Sequence, residues 1–112
     1  MNSSPVISSS TQKRIQILGA MIKAARLERK LSQGDLAERI GVSRPTIAAI
    51  EKGKLNVSIG TVFEAAHIVG LPLMGGAEDV TQLEHVSQTV ANMLKILPAK
   101  GVGKKVELDD DF

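Results

Sequence analysis

Residues 32–53, Ser-Gln-Gly-Asp-Leu-Ala-Glu-Arg-Ile-Gly-Val-Ser-Arg-Pro-Thr-Ile-Ala-Ala-Ile-Glu-Lys-Gly, leave the backbone little choice. Ser32 with Asp35 three positions on is a helix-start signal: the hydroxyl accepts from the N3 amide, and the carboxylate lies near the positive end of the helix dipole. Leu36, Ala37 and Ile40 then share the inner face of a short helix from Gln33 to about Ile40. Gly41 ends it, because glycine takes the left-handed conformation without a Cβ penalty. Ser43 caps the next helix, and Pro45 is tolerated in its first turn, where an amide would be unpaired anyway. Ile47 and Ile50 supply that helix's buried face, and Gly53 closes it. Two helices joined this tightly must cross at a steep angle. Ala37 must then be small, Gly41 must turn the chain, Val42 must plug the gap, and Leu36, Ile40, Ile47 and Ile50 must form one apolar wedge. Each position holds the residue type that this geometry demands.

Flanking segments read as further helices. Ile15, Leu18, Ile22 and Ala25 fall on one face of a helix ending near Arg29 or Lys30. After Ser58, the residues Ile59, Val62, Phe63, Ala66 and Val69 repeat at helical steps as far as Gly70. Gly75 and Gly76 then precede a last helix, about Asp79 to Leu97, with the stripe Val80, Leu83, Val86, Val90, Met93 and Leu97; Pro98 stops it. No segment alternates like a strand. The reading is an all-α fold: a compact four- to five-helix domain at residues 13–75, a C-terminal helix at 76–98 for packing or dimerisation, and flexible tails at 1–12 and 99–112.

Composition narrows the function classes. The absence of cysteine excludes disulfides, thiolate metal sites and a cysteine nucleophile, and suits a reducing cytoplasm. No apolar run reaches the roughly 18–20 residues of a membrane span, so no membrane association is expected. The opening MNSSPVISSS lacks the charged and apolar regions of a secretory leader. The net charge of +2 is unevenly spread: residues 1–56 carry ten Lys/Arg against four Asp/Glu, or +6, and residues 57–112 carry four against eight, or −4. A basic front half suits a phosphate-facing surface, although a solvated charged face reads the same way. His67 and His85 are isolated and read as structural or surface residues, and Met21, Met74 and Met93 as core or groove fillers. No paired carboxylates, nucleophile–base pair, phosphate loop or metal cluster is apparent, so neither an enzyme nor a cofactor is expected.

Ala25-Arg-Leu, Leu31-Ser-Gln33, Leu36-Ala37, Gly41-Val42-Ser43, Ile47, Ile50-Glu51-Lys-Gly53 and the Leu-Pro-Leu at 71–73 together resemble the Cro and phage-repressor helix-turn-helix family, often called the XRE family. The resemblance covers about half the chain and implies a lambda-repressor-like fold that reads operator DNA with the third helix. It implies that Arg26 pairs with Glu51 to lock the first helix to the third, and that Gln33 meets a backbone phosphate. Ser43, Arg44, Pro45, Thr46, Ala49 and Lys52 would lie along the major groove, with Arg44 and Thr46 on base edges. Arginine pairs bidentately with guanine O6 and N7, a contact worth about 1–3 kcal/mol of discrimination. Ala49 has only a methyl to offer a thymine, and Lys52, Lys54 and Asn56 would hold phosphates; Lys54 reads equally well as a plain surface lysine. Pro45 departs from many relatives, which carry a polar residue there. Direct readout would then rest on few side chains and partly on DNA shape.

The last helix has two readings: it folds onto the four-helix unit, or it pairs with its twin in a homodimer suited to a two-half-site operator. The tail also has two. Lys104-Lys105 followed by Asp109 to Phe112 resembles the tails of HipB-like antitoxins, which would imply autorepression and a HipA-like kinase toxin as partner; otherwise it is a solubilising tail. The competing functional reading is a helix-turn-helix module that binds only protein.

Overall fold

A computed structural model describes residues 5–75 and 79–98, and the tail at 99–112 lies outside them. Five helices are present: α1 (Ser9–Glu28), α2 (Gln33–Ile40), α3 (Arg44–Glu51), α4 (Ile59–Ile68) and α5 (Val80–Ile96). No strand occurs among the described residues. The chain divides into two compact units between Leu73 and Met74.

In the first unit, a serine caps each of the four helices. Ser8, Ser32, Ser43 and Ser58 each accept the backbone N–H three residues on through Oγ. Ser32 and Asp35 complete a capping box, the Asp35 carboxylate accepting the Ser32 amide at 2.9 Å. Those hydrogen bonds hold the Asp35 carboxyl below its usual range. Gly41 closes α2 with φ of 82°, in the left-handed region.

These caps place Ile22, Leu36, Ala37, Ile47, Ile50, Ala65, Ala66 and Val69 in one buried core, with Leu18, Ala25, Ile40, Val42 and Val62 packed around it. Gly19 marks the α1–α3 crossing: a Cβ there would overlap the carbonyl oxygens of Ile50 and Glu51. Only glycine admits so close an approach.

Three local expectations change. Helix α1 begins at Ser9, inside the stretch read as a mobile arm, because the Ser8 cap rather than the apolar stripe sets its start. On α4 the buried face is Ala65, Ala66 and Val69, while Ile59 and Phe63 are exposed. Phe63 sits one step, about 100°, round the helix from Val62, and Ile59 lies in the end turn. Met21, Met74 and Met93 are about half exposed rather than filling the core.

In the second unit, Asp79 and Gln82 form a capping box that starts α5. Leu83, Val86, Val90, Met93 and Leu97 follow the alternating steps of four and three that mark the seam of a coiled coil. No residue of α5 is buried.

Candidate nucleic-acid interface

Helix α3 is held from its inner side. Ile47 and Ile50 sit in the core, and Glu51 projects from the last turn toward α1. There Arg26 Nε donates to Glu51 Oε2 at 2.6 Å and Nη2 donates to Oε1 at 3.0 Å, a bidentate ion pair. Its side chains are only 6% and 3% exposed. Arg26 Nη1 donates to the Leu31 carbonyl at 2.8 Å, which ties the end of α1 into the same network. Burial pushes the Glu51 carboxyl up, but the hydrogen bonds from Arg26 and Gln33, with the Arg26 and Lys23 charges, bring it below its ordinary value. The Glu51 hydrogen bond raises the Arg26 guanidinium correspondingly. Both groups are therefore charged at neutral pH, and the pair fixes α3 across the 25 residues of chain that separate its members.

Gln33 joins this network. Its Nε2 donates to Glu51 Oε1 at 3.1 Å, so the side-chain amide that the resemblance assigned to a phosphate is turned inward onto the α3 anchor. The N-terminal end of α2, where the Gln33 and Gly34 amides precede the capped Asp35 amide, is what Gln33 leaves for an anion.

The outward side carries the other predicted residues. Arg44 and Pro45 open α3, both exposed, and Thr46 and Ala49 are half-buried along its flank. Ser43 Oγ accepts the Thr46 amide at 3.3 Å and lies 2.9 Å from Thr46 Oγ1, so the two hydroxyls are turned to each other. Lys52 is the exposed C-cap of α3, and Lys54 and Asn56 are exposed in the following loop. Pro45, Thr46, Ala49 and Asn56 also line an open groove of about 450 Å³ between α3 and the start of α4, completed by Val42, Val57, Ser58 and Thr61. Along α3 and the loop after it, Ser43, Arg44, Pro45, Lys52, Lys54 and Asn56 are thus exposed and Thr46 and Ala49 half-buried, whereas the Gln33 side chain turns onto Glu51.

Sequence reading had not assigned Val57, Ser58 and Thr61 to this surface. The hint was the pair of hydroxyl residues Ser58 and Thr61 at the start of α4, where only Ser58 reads as a cap. His67 and His85 are exposed.

A helix that exposes Arg44 and its C-cap Lys52, and that packs by its inner face across a short preceding helix and a glycine turn, defines the helix-turn-helix class of DNA-binding domain. A helix is about 10–12 Å across with its side chains, which matches the roughly 12 Å width of the major groove. The chain belongs to the helix-turn-helix family, whose model matches residues 22–74. It is 44% identical over 52 residues to an uncharacterised HTH-type transcriptional regulator of Methanocaldococcus jannaschii, covering 46% of this chain and 79% of that protein. A similar regulator of Methanothermobacter thermautotrophicus is 42% identical over 50 residues, covering 45% of this chain and 72% of its own length. The immunity repressor protein of Bacillus phage phi105 is 43% identical over 54 residues, which are 48% of this chain but only 38% of the repressor.

Proposed function

We propose that this protein is a sequence-specific transcriptional repressor that binds operator DNA as a homodimer and represses its own gene. The observation that carries this reading is the exposed face of α3. It presents Arg44 and Lys52 to solvent while Arg26, Gln33 and Glu51 hold its back. Arg44 reads a guanine edge, and Thr46 and Ala49 approach the neighbouring bases. Lys52, Lys54 and Asn56 meet the phosphodiester strand beyond the groove, joined by the amides at the start of α2. The HTH-type regulators and the phage repressor that the chain resembles support this assignment.

A homodimer follows from the needs of a two-half-site operator and from α5. Its seam of Leu83, Val86, Val90 and Met93, followed by the C-cap Leu97, is at least 41% exposed at every position. The charged residues of α5, Glu84 and Lys95, lie off that seam. A second copy of α5 matches that periodicity. The narrower antitoxin role, with a HipA-like kinase toxin as partner, rests on the tail at residues 104–112; co-purification with the product of a neighbouring kinase gene tests it. The protein would act in the cytoplasm, on the nucleoid.

Fluorescence anisotropy with the DNA upstream of this protein's own gene, at several salt concentrations, tests the reading. Wild type is expected to bind that DNA more tightly than unrelated duplex, with two chains per site and affinity falling as salt rises. Arg44→Ala is expected to lose about tenfold to a hundredfold in affinity, the equivalent of about 1–3 kcal/mol. Equal weak binding to every duplex, unchanged by Arg44→Ala, would instead mark a module that binds protein.

A further inference from the structure

We infer that α3 selects thymine beside guanine, because apart from Arg44 its groove-facing surface is a strip of methyl and methylene groups; this rests on the repressor reading above. The groups on α3 able to hydrogen-bond a base edge are few. Glu51 is buried against Arg26, and Pro45, Ala48 and Ala49 carry no polar side-chain atom. Ser43 and Thr46 have hydroxyls, but these face each other at 2.9 Å, and Ser43 Oγ also holds the Thr46 amide as the cap of α3. Turning both hydroxyls to a base would uncap the helix, a cost of about 1 kcal/mol. Arg44 and the C-cap Lys52 remain as the long polar side chains of the exposed face.

Between those two cations the outward side of α3 is apolar except for Thr46 Oγ1, which is bonded to Ser43 Oγ. Pro45 and Ala49 are one turn apart on the same side of α3. With Thr46 they line the groove together with Val42 and Val57, and Asn56, Ser58 and Thr61 line it too. Each base pair shows the major groove a different pattern. Guanine offers two acceptors, adenine an acceptor and a donor, and cytosine a donor; thymine adds a C5 methyl to its O4 acceptor. Against an apolar strip, cytosine's amino group and the acceptors of guanine lose water without gaining a partner. A thymine methyl gains apolar contact there. Arg44 at the start of the helix supplies the fork that guanine requires. The expected half-site therefore joins a G·C pair under Arg44 to adjoining thymines under Pro45, Thr46 and Ala49.

The test has two stages. Full-length protein is used to enrich duplexes from a randomised pool. Uracil then replaces each enriched thymine singly, which removes the C5 methyl and keeps the rest of the base edge. The inference expects guanine with adjoining thymines among the enriched half-sites. It also expects a loss of about threefold to fivefold in affinity for each methyl removed, the effect of exposing one buried methylene-sized group. In Ala49→Gly, one of those uracil penalties should shrink toward zero, and this comparison within one variant is insensitive to any change in its folding. Uracil duplexes that bind as tightly as thymine duplexes would overturn the inference and leave the repressor reading standing. Enriched half-sites without thymine beside the guanine would do the same. A pool that enriches no sequence at all would overturn both.

Discussion

The two sides of α3 lie half a turn apart and are built on opposite terms. On the inner side Ile47 is fully buried, Ile50 is 4% exposed, and the Glu51 carboxylate meets Arg26 bidentately. On the outer side Arg44, Pro45 and Lys52 are exposed to solvent. The inner side turns burial into a fixed position for the helix. The outer side keeps charge and methyl surface uncommitted, so that a partner can complete it. If this division is real, inner changes alter stability and outer changes alter DNA affinity.

The largest effect belongs to the inner side. Glu51→Ala leaves the Arg26 guanidinium buried without its counterion, and is expected to cost about 3–5 kcal/mol, measured by urea unfolding. That is a large share of the roughly 5–15 kcal/mol that holds most domains folded. Replacing both members, Arg26→Leu with Glu51→Leu, should recover most of the loss, because paired apolar side chains substitute for a buried ion pair. Recovery should stop about 1 kcal/mol short, since the Leu31 carbonyl loses the hydrogen bond from Arg26 Nη1. A double variant no more stable than Glu51→Ala would mean that the pair is not the anchor.

Acid is expected to act more gently on the same contact. Glu51 has a folded-state value below its ordinary 4.5, so its contribution is present above that value and fades as pH falls through the lower, folded one. Stability should therefore decline from about pH 4.5 downward, and Glu51→Gln should remove the Glu51 part of that decline. Asp35, lowered by its Ser32 hydrogen bonds, contributes in the same direction and should persist in the variant. A Glu51→Gln profile parallel to wild type would show that the carboxylate is not what titrates.

The two sides were not equally legible in the sequence. Caps are local, so Ser32, Gly41 and Ser43 revealed the bounds of α2 and the start of α3. The core of the wedge followed from steps of three and four residues. The start of α1 did not, because its first turns are polar and depend on Ser8 alone. Phe63 and Ile59 share the apolar character of α4 but not the angle of its buried face, and periodicity cannot separate a stripe from its margin. Gln33 is the sharpest case on the site. Its position at the start of α2 was plain, but its partner lies 18 residues away, and the direction of a flexible amide depends on what the fold brings beside it. Gly19 is similar: only the crossing of α3 shows why a side chain is forbidden there.

The smallest effect tests the outer side at the end where it meets phosphate. Lys52 caps α3 with its backbone while its side chain stands exposed, so Lys52→Ala removes a charge and leaves the cap amide bonded to the Ala48 carbonyl. Unfolding in urea should be unchanged within about 0.5 kcal/mol, as for most surface substitutions. DNA affinity should fall by a similar factor on operator and unrelated duplex, because a phosphate carries no sequence information. The slope of log affinity against log salt should become shallower by about one, the signature of one fewer phosphate contact. The opposite pattern, a loss confined to the operator with an unchanged salt slope, would place Lys52 on a base edge. Readout would then run the full length of α3, and the division between an apolar reading strip and a phosphate-holding end would fall at Lys54 instead.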